Sequence, residues 1–217
     1  MGPGTNFYGL LGPNLIPNVL AALLFITTLL ISIRAFYLFA LARTPRLFVL
    51  GLSMGLISLT AADNIVANLI KLTFNTYWFL YIGQIASYFF IWLSLISSSE
   101  YYLQRLVRWQ ILGSVLVLGL LVLAPLLPAF PNDIVRASLS GTRALMSLGV
   151  FFCYIAAFTE KETRFSLLMA IAFLLITFGQ LLGALKYFVP NPDVLDSPGD
   201  IMRIIGLFSL LAAVLEG

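Results

Sequence analysis

The feature that most constrains this chain is a series of long apolar segments separated by short polar stretches. Of its 217 residues, 61% are hydrophobic and only 10% are charged. Soluble domains carry about 25% charged residues, whereas a helix that spans a membrane needs about 20 consecutive apolar residues. We therefore expect an all-α, polytopic membrane protein whose apolar surface faces lipid.

The apolar segments predict seven transmembrane helices with short loops, which form a single helical-bundle domain over residues 1–217. Prolines and polar residues mark the loops, and no segment is long enough for a soluble domain. The predicted helices lie at about 14–40, 46–70, 76–98, 109–127, 134–158, 164–188 and 199–215.

The distribution of basic residues over the loops predicts the orientation of the protein in the cell membrane. Short cytoplasmic loops carry more lysine and arginine than external ones. The more basic side holds the cytoplasmic loop residues Arg43, Arg46, Arg105, Arg108, Lys161 and Arg164. We therefore expect the N-terminus outside the cell and the C-terminus in the cytoplasm.

Similar motifs on either side of the predicted fourth helix indicate a possible 3+1+3 internal repeat. Asn14 and Asn132 begin helices one and five, and Arg46 and Arg164 lead into helices two and six. This layout resembles that of the sugar-exporting SWEET and Pro-Gln-loop transporters, whose repeats are parallel. The resemblance concerns layout alone, because the Pro-Gln dipeptide is absent. Chance similarity between hydrophobic hairpins is the alternative.

Polar residues recur at helical spacing inside two of the predicted spans. On helix five, the spacing i, i+4, i+7, i+11 places one polar stripe on a single face. It consists of Arg136, Ser140, Arg143 and Ser147. Helix two carries Asp63 beside Asn64 and Asn68. A charge at the centre of a bilayer costs about 2.5–3.5 kcal/mol on insertion scales, so both polar faces should point into the bundle.

A rise of about 1.5 Å per residue places polar side chains from four helices in one layer of the outer half. The candidate layer comprises Asp63, Asn64, Asn68, Gln84, Arg143 and Gln180. We expect Asp63 and Arg143 to form an ion pair, because either charge buried alone would be costly. Such a layer fits two interpretations, which are structural hydrogen bonds between helices and an outward-facing pocket for a small polar solute or ion.

Other patterns favour packing and membrane anchoring. Trp78 and Tyr81 are placed for an outer aromatic belt. Small residues spaced four apart allow close helix contacts, and they occur at Gly51 and Gly55 and at Gly179 and Gly183.

The absence of histidine and the presence of a single cysteine exclude several kinds of chemistry. Histidine-dependent metalloproteases, rhomboid-type proteases and b-type haem sites all lack their essential side chain. A retinal protein has a similar helix count, but it needs a lysine in its last helix, where this chain offers only Arg203. We therefore expect no enzyme activity, no metal site and no cofactor.

Three functional hypotheses follow. The first is a non-catalytic subunit that anchors or scaffolds a larger membrane complex. The second is a small transporter or solute-binding membrane protein that uses the polar layer around Asp63 and Arg143. The third is a membrane sensor module that signals through a partner. The expected partners are membrane lipids and other membrane subunits or further copies of the chain; nucleic acid is not expected, because no basic run is present.

Overall fold

We describe a computed structural model of the chain, covering residues 15–70, 76–97, 99–128, 132–189 and 193–216. These residues form helices and no strands. Seven helices have the length and apolar character of membrane spans, and they indicate an integral membrane protein. We number them α1 (Leu15–Ala42), α2 (Pro45–Ile70), α3 (Tyr77–Ile96), α4 (Glu100–Leu123), α5 (Asp133–Lys161), α6 (Arg164–Leu185) and α7 (Asp193–Glu216). Short 3-10 turns follow α4 (Ala124–Leu126) and α6 (Lys186–Phe188).

The predicted start of helix four is wrong by nine residues. The sequence suggested a loop up to Arg108, but α4 begins at Glu100, so Arg105 and Arg108 lie within a helix. The segment has no glycine or proline to interrupt a helix, and Leu103 is buried against the neighbouring helices. This buried side chain, together with neighbouring residues that favour a helix, is enough to extend α4 toward its N-terminus.

Helix seven also begins earlier than predicted. Pro198 suggested a boundary, yet α7 starts at Asp193 and carries Pro198 near its beginning. Pro198 is the sixth residue of α7 and lies inside the helix, where it cannot donate the usual hydrogen bond to the carbonyl four residues earlier.

Six of the helices form a closed ring, and α4 lies outside it. Around the ring each helix packs on the next in the order α1, α2, α3, α5, α6, α7 and back to α1. The outlying α4 packs on α2 and α3. Between α4 and α2, the fully buried Gln110 donates hydrogen bonds to the Val49 carbonyl at 3.0 Å and to the Ser53 hydroxyl at 2.9 Å.

The two ends of the bundle differ in their loops. We call the end with the α1–α2, α3–α4 and α5–α6 connections the Arg43 end, and the opposite one the Lys186 end. At the Arg43 end, the α1–α2 and α5–α6 connections share one geometry, in which Arg43 and Glu162 adopt left-handed conformations with φ of 51° and 48°. Their backbone N–H groups donate to Phe39 and Phe158, respectively.

Glycines allow the closest helix contacts, as the small-residue spacing predicted at three of its four positions. A Cβ on Gly51 or Gly55 would lie 3.2 Å from α1 side chains, and one on Gly179 would clash with the Gly199 carbonyl oxygen. Gly183 has no comparable contact, since the nearest atom is 3.9 Å away. A further contact, at Gly206 on α7, was not anticipated.

We expect Gly206→Ala to destabilise the bundle. Its Cβ would lie 2.8 Å from the Ala172 carbonyl oxygen, and backbone atoms of two packed helices cannot move apart locally. Overpacking of this kind costs about 1–3 kcal/mol, which is measurable as a lower melting temperature in detergent. Gly119→Ala is the matched control, because a Cβ there has no atom within 4 Å. Equal melting temperatures for the two variants would contradict this account of the α6–α7 contact.

Candidate functional site

A cavity of about 660 Å³ lies inside the ring, in the half of the bundle nearer the Lys186 end. All six ring helices contribute to its lining. It reaches from Asp133 and Val189, close to helix ends, down to Arg143 on α5. The ten residues from Asp133 to Arg143 correspond to a depth of about 15 Å at the helical rise.

Arg143 is a buried charged group at the inner part of this cavity. The residue is only 6% exposed, and its guanidinium donates to the Gln84 side-chain carbonyl and to the Ser140 hydroxyl. It also lies over the ring of Tyr81, with Cζ 4.5 Å from the ring centroid. None of these partners is anionic, so within the described ranges no carboxylate pairs with this positive charge.

Gln84 connects Arg143 to α2. Its side-chain nitrogen donates to the Thr60 hydroxyl at 3.2 Å, while its oxygen accepts from Arg143. Thr60 in turn donates to the Ile57 carbonyl at 2.7 Å. A single amide therefore fixes the arginine relative to α2 and α3, and it uses both of its polar ends to do so.

Two arginine–aspartate pairs also line the cavity, one on α5 at its mouth and one deeper on α7. Arg203 pairs with Asp200 on α7, and Arg136 lies 3.8 Å from Asp133 on α5. Each carboxylate is three residues before its arginine, so each pair is held by one turn of one helix.

Aromatic hydroxyls join the two sides of the mouth. The hydroxyls of Tyr81 on α3 and Tyr187 after α6 are 3.0 Å apart. This contact places Tyr81 inside the bundle, so its predicted place in an outer aromatic belt is wrong. Tyr81 lies three residues before Gln84 on α3, so both side chains point from the same inward face of the helix.

The predicted ion pair between Asp63 and Arg143 does not form. Asp63 is half-buried, its side chain hydrogen bonds with Thr76, and one carboxylate oxygen is buried without a partner. The inward face of α2 is the one with Thr60 and Asn64, which are four residues apart; Asp63 lies about 100° around the helix from Asn64. Arg143 therefore meets Gln84, not Asp63.

The remaining members of the predicted layer divide as follows. Asn64, Gln84, Arg143 and Gln180 all line the cavity. Gln180 is 3% exposed, and its side-chain oxygen is buried without a hydrogen-bond partner. The side chain of Asn68 lies outside the described residues.

The six basic residues assigned to the cytoplasmic loops lie together at the Arg43 end. Arg43 is in the α1–α2 turn, and Arg46 donates to the Ser97 carbonyl at 2.9 Å. Lys161 ends α5 and Arg164 begins α6. Their placement at one end is consistent with the predicted topology and leaves the orientation in the membrane a prediction.

Sequence reasoning missed several residues of the cavity, of which Tyr81, Tyr187 and Arg203 contribute the most chemistry. Arg203 had one available signal, which was a charged residue inside the predicted seventh span. Tyr187 had none, because a tyrosine near a helix end is equally typical of the membrane interface.

Comparison with known proteins gave no match to a family model, to a curated protein or to a solved structure. The functional argument therefore depends on the geometry of the cavity.

We expect Gln84→Leu to lower the free energy of unfolding by about 1–3 kcal/mol, because the buried Arg143 loses an acceptor and Thr60 a donor. The measurement is thermal unfolding of the purified protein in detergent. Gln104→Leu on α4 provides the matched control, since Gln104 is exposed. If both substitutions left the melting temperature unchanged, Gln84 would not be holding the arginine in place.

Proposed function

We propose that the protein is a small membrane transporter built from two three-helix repeats, α1–α3 and α5–α7, with its solute bound in the cavity between them. The observation that carries the proposal is a constant offset of 119 positions, as between Phe39 and Phe158. At this offset, six cavity-lining residues of the first half correspond to six of the second. The pairs are Ala21 with Ser140, Leu24 with Arg143, Ala61 with Gln180, Asn64 with Gly183, Tyr81 with Asp200 and Gln84 with Arg203.

The buried core supports the same correspondence. Several core residues separated by this offset are buried in both halves. Examples are Ile31 with Val150, Met54 with Phe173, Ile57 with Ile176 and Ile91 with Leu210. The register differs slightly from the one suggested by sequence, since it aligns Arg43 with Glu162 and not Arg46 with Arg164.

Helix contacts are consistent with two parallel repeats. The α1–α2 contact corresponds to α5–α6, the α2–α3 contact to α6–α7, and the α3–α5 contact to α7–α1. Parallel repeats related by an axis along the membrane normal occur in several transporter folds, and their substrates bind near the midplane at the repeat interface. A cavity between two halves is the arrangement that rocking of one half against the other would expose alternately.

Alternating access predicts that the cavity is reachable from both sides of the membrane. We expect Asn64→Cys, in a Cys153→Ser background, to react with a charged methanethiosulfonate reagent in right-side-out and in inverted vesicles. Ala144→Cys is the control, because Ala144 is buried on α5 and does not line the cavity; it should react in neither. Reaction from one side alone would favour a static binding protein, and reaction from neither side would overturn the proposed function.

We further propose that the Arg43 end faces the cytoplasm, as the basic loop residues predict. Thr159 is exposed near this end. In the Cys153→Ser background, Thr159→Cys should therefore be modified by the same impermeant reagent in inverted vesicles and protected in right-side-out vesicles. The reverse pattern would invert the topology.

The alternative of a subunit in a membrane complex is compatible with one observation. The outer face of α4 exposes large apolar side chains, among them Val115 at 59% and Leu116 at 65%, which a partner helix could cover as well as lipid. The sensor hypothesis has no comparable support and stays a prediction.

A further inference from the structure

We infer that the cavity binds a small organic carboxylate with an apolar body. This inference rests on the proposed function and narrows it to one chemical class of solute. It starts from the distribution of charge over the two halves. Every charged side chain among the described lining residues belongs to α5–α7 or to the turn after α6. These residues are Asp133, Arg136, Arg143, Lys186, Asp200 and Arg203.

The sign of this charged wall favours an anion. Four of its members are cationic and two are carboxylates, and both carboxylates pair with an arginine on their own helix. The contacts that Arg143 makes are with amide, hydroxyl and aromatic groups. A carboxylate that reached it would supply the opposite charge that the described residues do not provide.

Arg143 also retains the capacity to bind a ligand. A guanidinium has five N–H donors, of which Gln84 and Ser140 accept two. Its Nε is buried without a partner. Charge-assisted hydrogen bonds from arginine to a carboxylate are short and about twice as strong as neutral ones. Gln84 and Ser140 hold the group in place without occupying all its donors.

The opposite wall carries an apolar surface on α1, and this surface determines the rest of the ligand. Leu20, Ala21 and Leu24 of α1 and Ala61 of α2 line the cavity there. Leu24 occupies the position equivalent to Arg143, so the two repeats present an apolar and a cationic surface to the same space. A ligand with one anionic end and one apolar end would match both, and the volume of about 660 Å³ lies within the usual range of small-molecule sites.

The test compares three probes of defined charge and shape on the full chain in lipid nanodiscs, with affinities measured by calorimetry. Mandelate has a carboxylate and an apolar ring, mandelamide is its neutral counterpart, and acetate has the carboxylate alone. We expect mandelate to bind at least tenfold more tightly than either. Equal affinities for mandelate and mandelamide would overturn the inference and leave solute binding intact, whereas binding of none of the three would count against both proposals.

Two substitutions separate the role of Arg143 from a general loss of structure. Arg143→Gln should reduce mandelate affinity at least tenfold and leave mandelamide unaffected. Gln84→Glu keeps the side-chain shape and places a carboxylate against Arg143, so it should weaken mandelate binding while the protein stays folded. The matched control is Arg34→Gln, since Arg34 lies on α1 outside the cavity. Unchanged mandelate affinity in the folded Gln84→Glu variant would overturn the inference.

A membrane-derived anion is distinguished by the lipid composition of the nanodisc. Mandelate affinity should be the same in zwitterionic nanodiscs and in nanodiscs that contain phosphatidylglycerol. Loss of mandelate binding in the anionic nanodiscs would assign the site to a lipid headgroup and overturn the proposal of a soluble carboxylate.

Discussion

The burial of a guanidinium inside a membrane bundle is the constraint on which the arrangement of the cavity depends. In hydrocarbon a polar group without a partner costs several kcal/mol, so Arg143 has to be surrounded by hydrogen-bond acceptors or a π-face. Gln84, Ser140 and Tyr81 provide these contacts. They come from α3 and from α5 itself, and Gln84 extends the network to α2 through Thr60. Satisfying one charge thus fixes three helices around a polar space.

The same requirement explains which parts of the structure could be predicted from sequence. Hydropathy reports the partition of whole segments between water and lipid, so all seven spans could be found. The choice of partner for a buried charge is set instead by rotation about the helix axis. Thr60 and Asn64 define the inward face of α2, and Asp63 lies a third of a turn away; the predicted ion pair failed for this reason. Four of the six predicted layer residues nevertheless line the cavity, because depth along a helix is well determined by residue number. The order in which the helices pack around the ring could not be predicted, because it leaves no periodic pattern in a single sequence.

The boundary of α4 illustrates a second limit. The segment from Glu100 to Arg108 is polar enough to be placed in a loop, but helix formation in water-exposed turns needs only good helix formers and a few buried contacts. Leu103 supplies one such contact. Composition indicates where the lipid ends, whereas the helix ends only where its backbone hydrogen bonds do, and the two points differ by about two turns here.

The position of α4 outside the ring follows from geometry if the two halves are parallel repeats. A three-helix unit that starts at the Lys186 end finishes at the Arg43 end, so the next unit can start in the same direction only after one further crossing. That crossing is α4, which contributes none of the described lining residues of the cavity and packs on α2 and α3 of the first half. Gln110 fastens it to α2, so motion of one half against the other would carry α4 with the first. The charged wall on α5–α7 would then move relative to α4 and to the apolar surface on α1. A ligand that contacts both surfaces would couple its own binding to that motion.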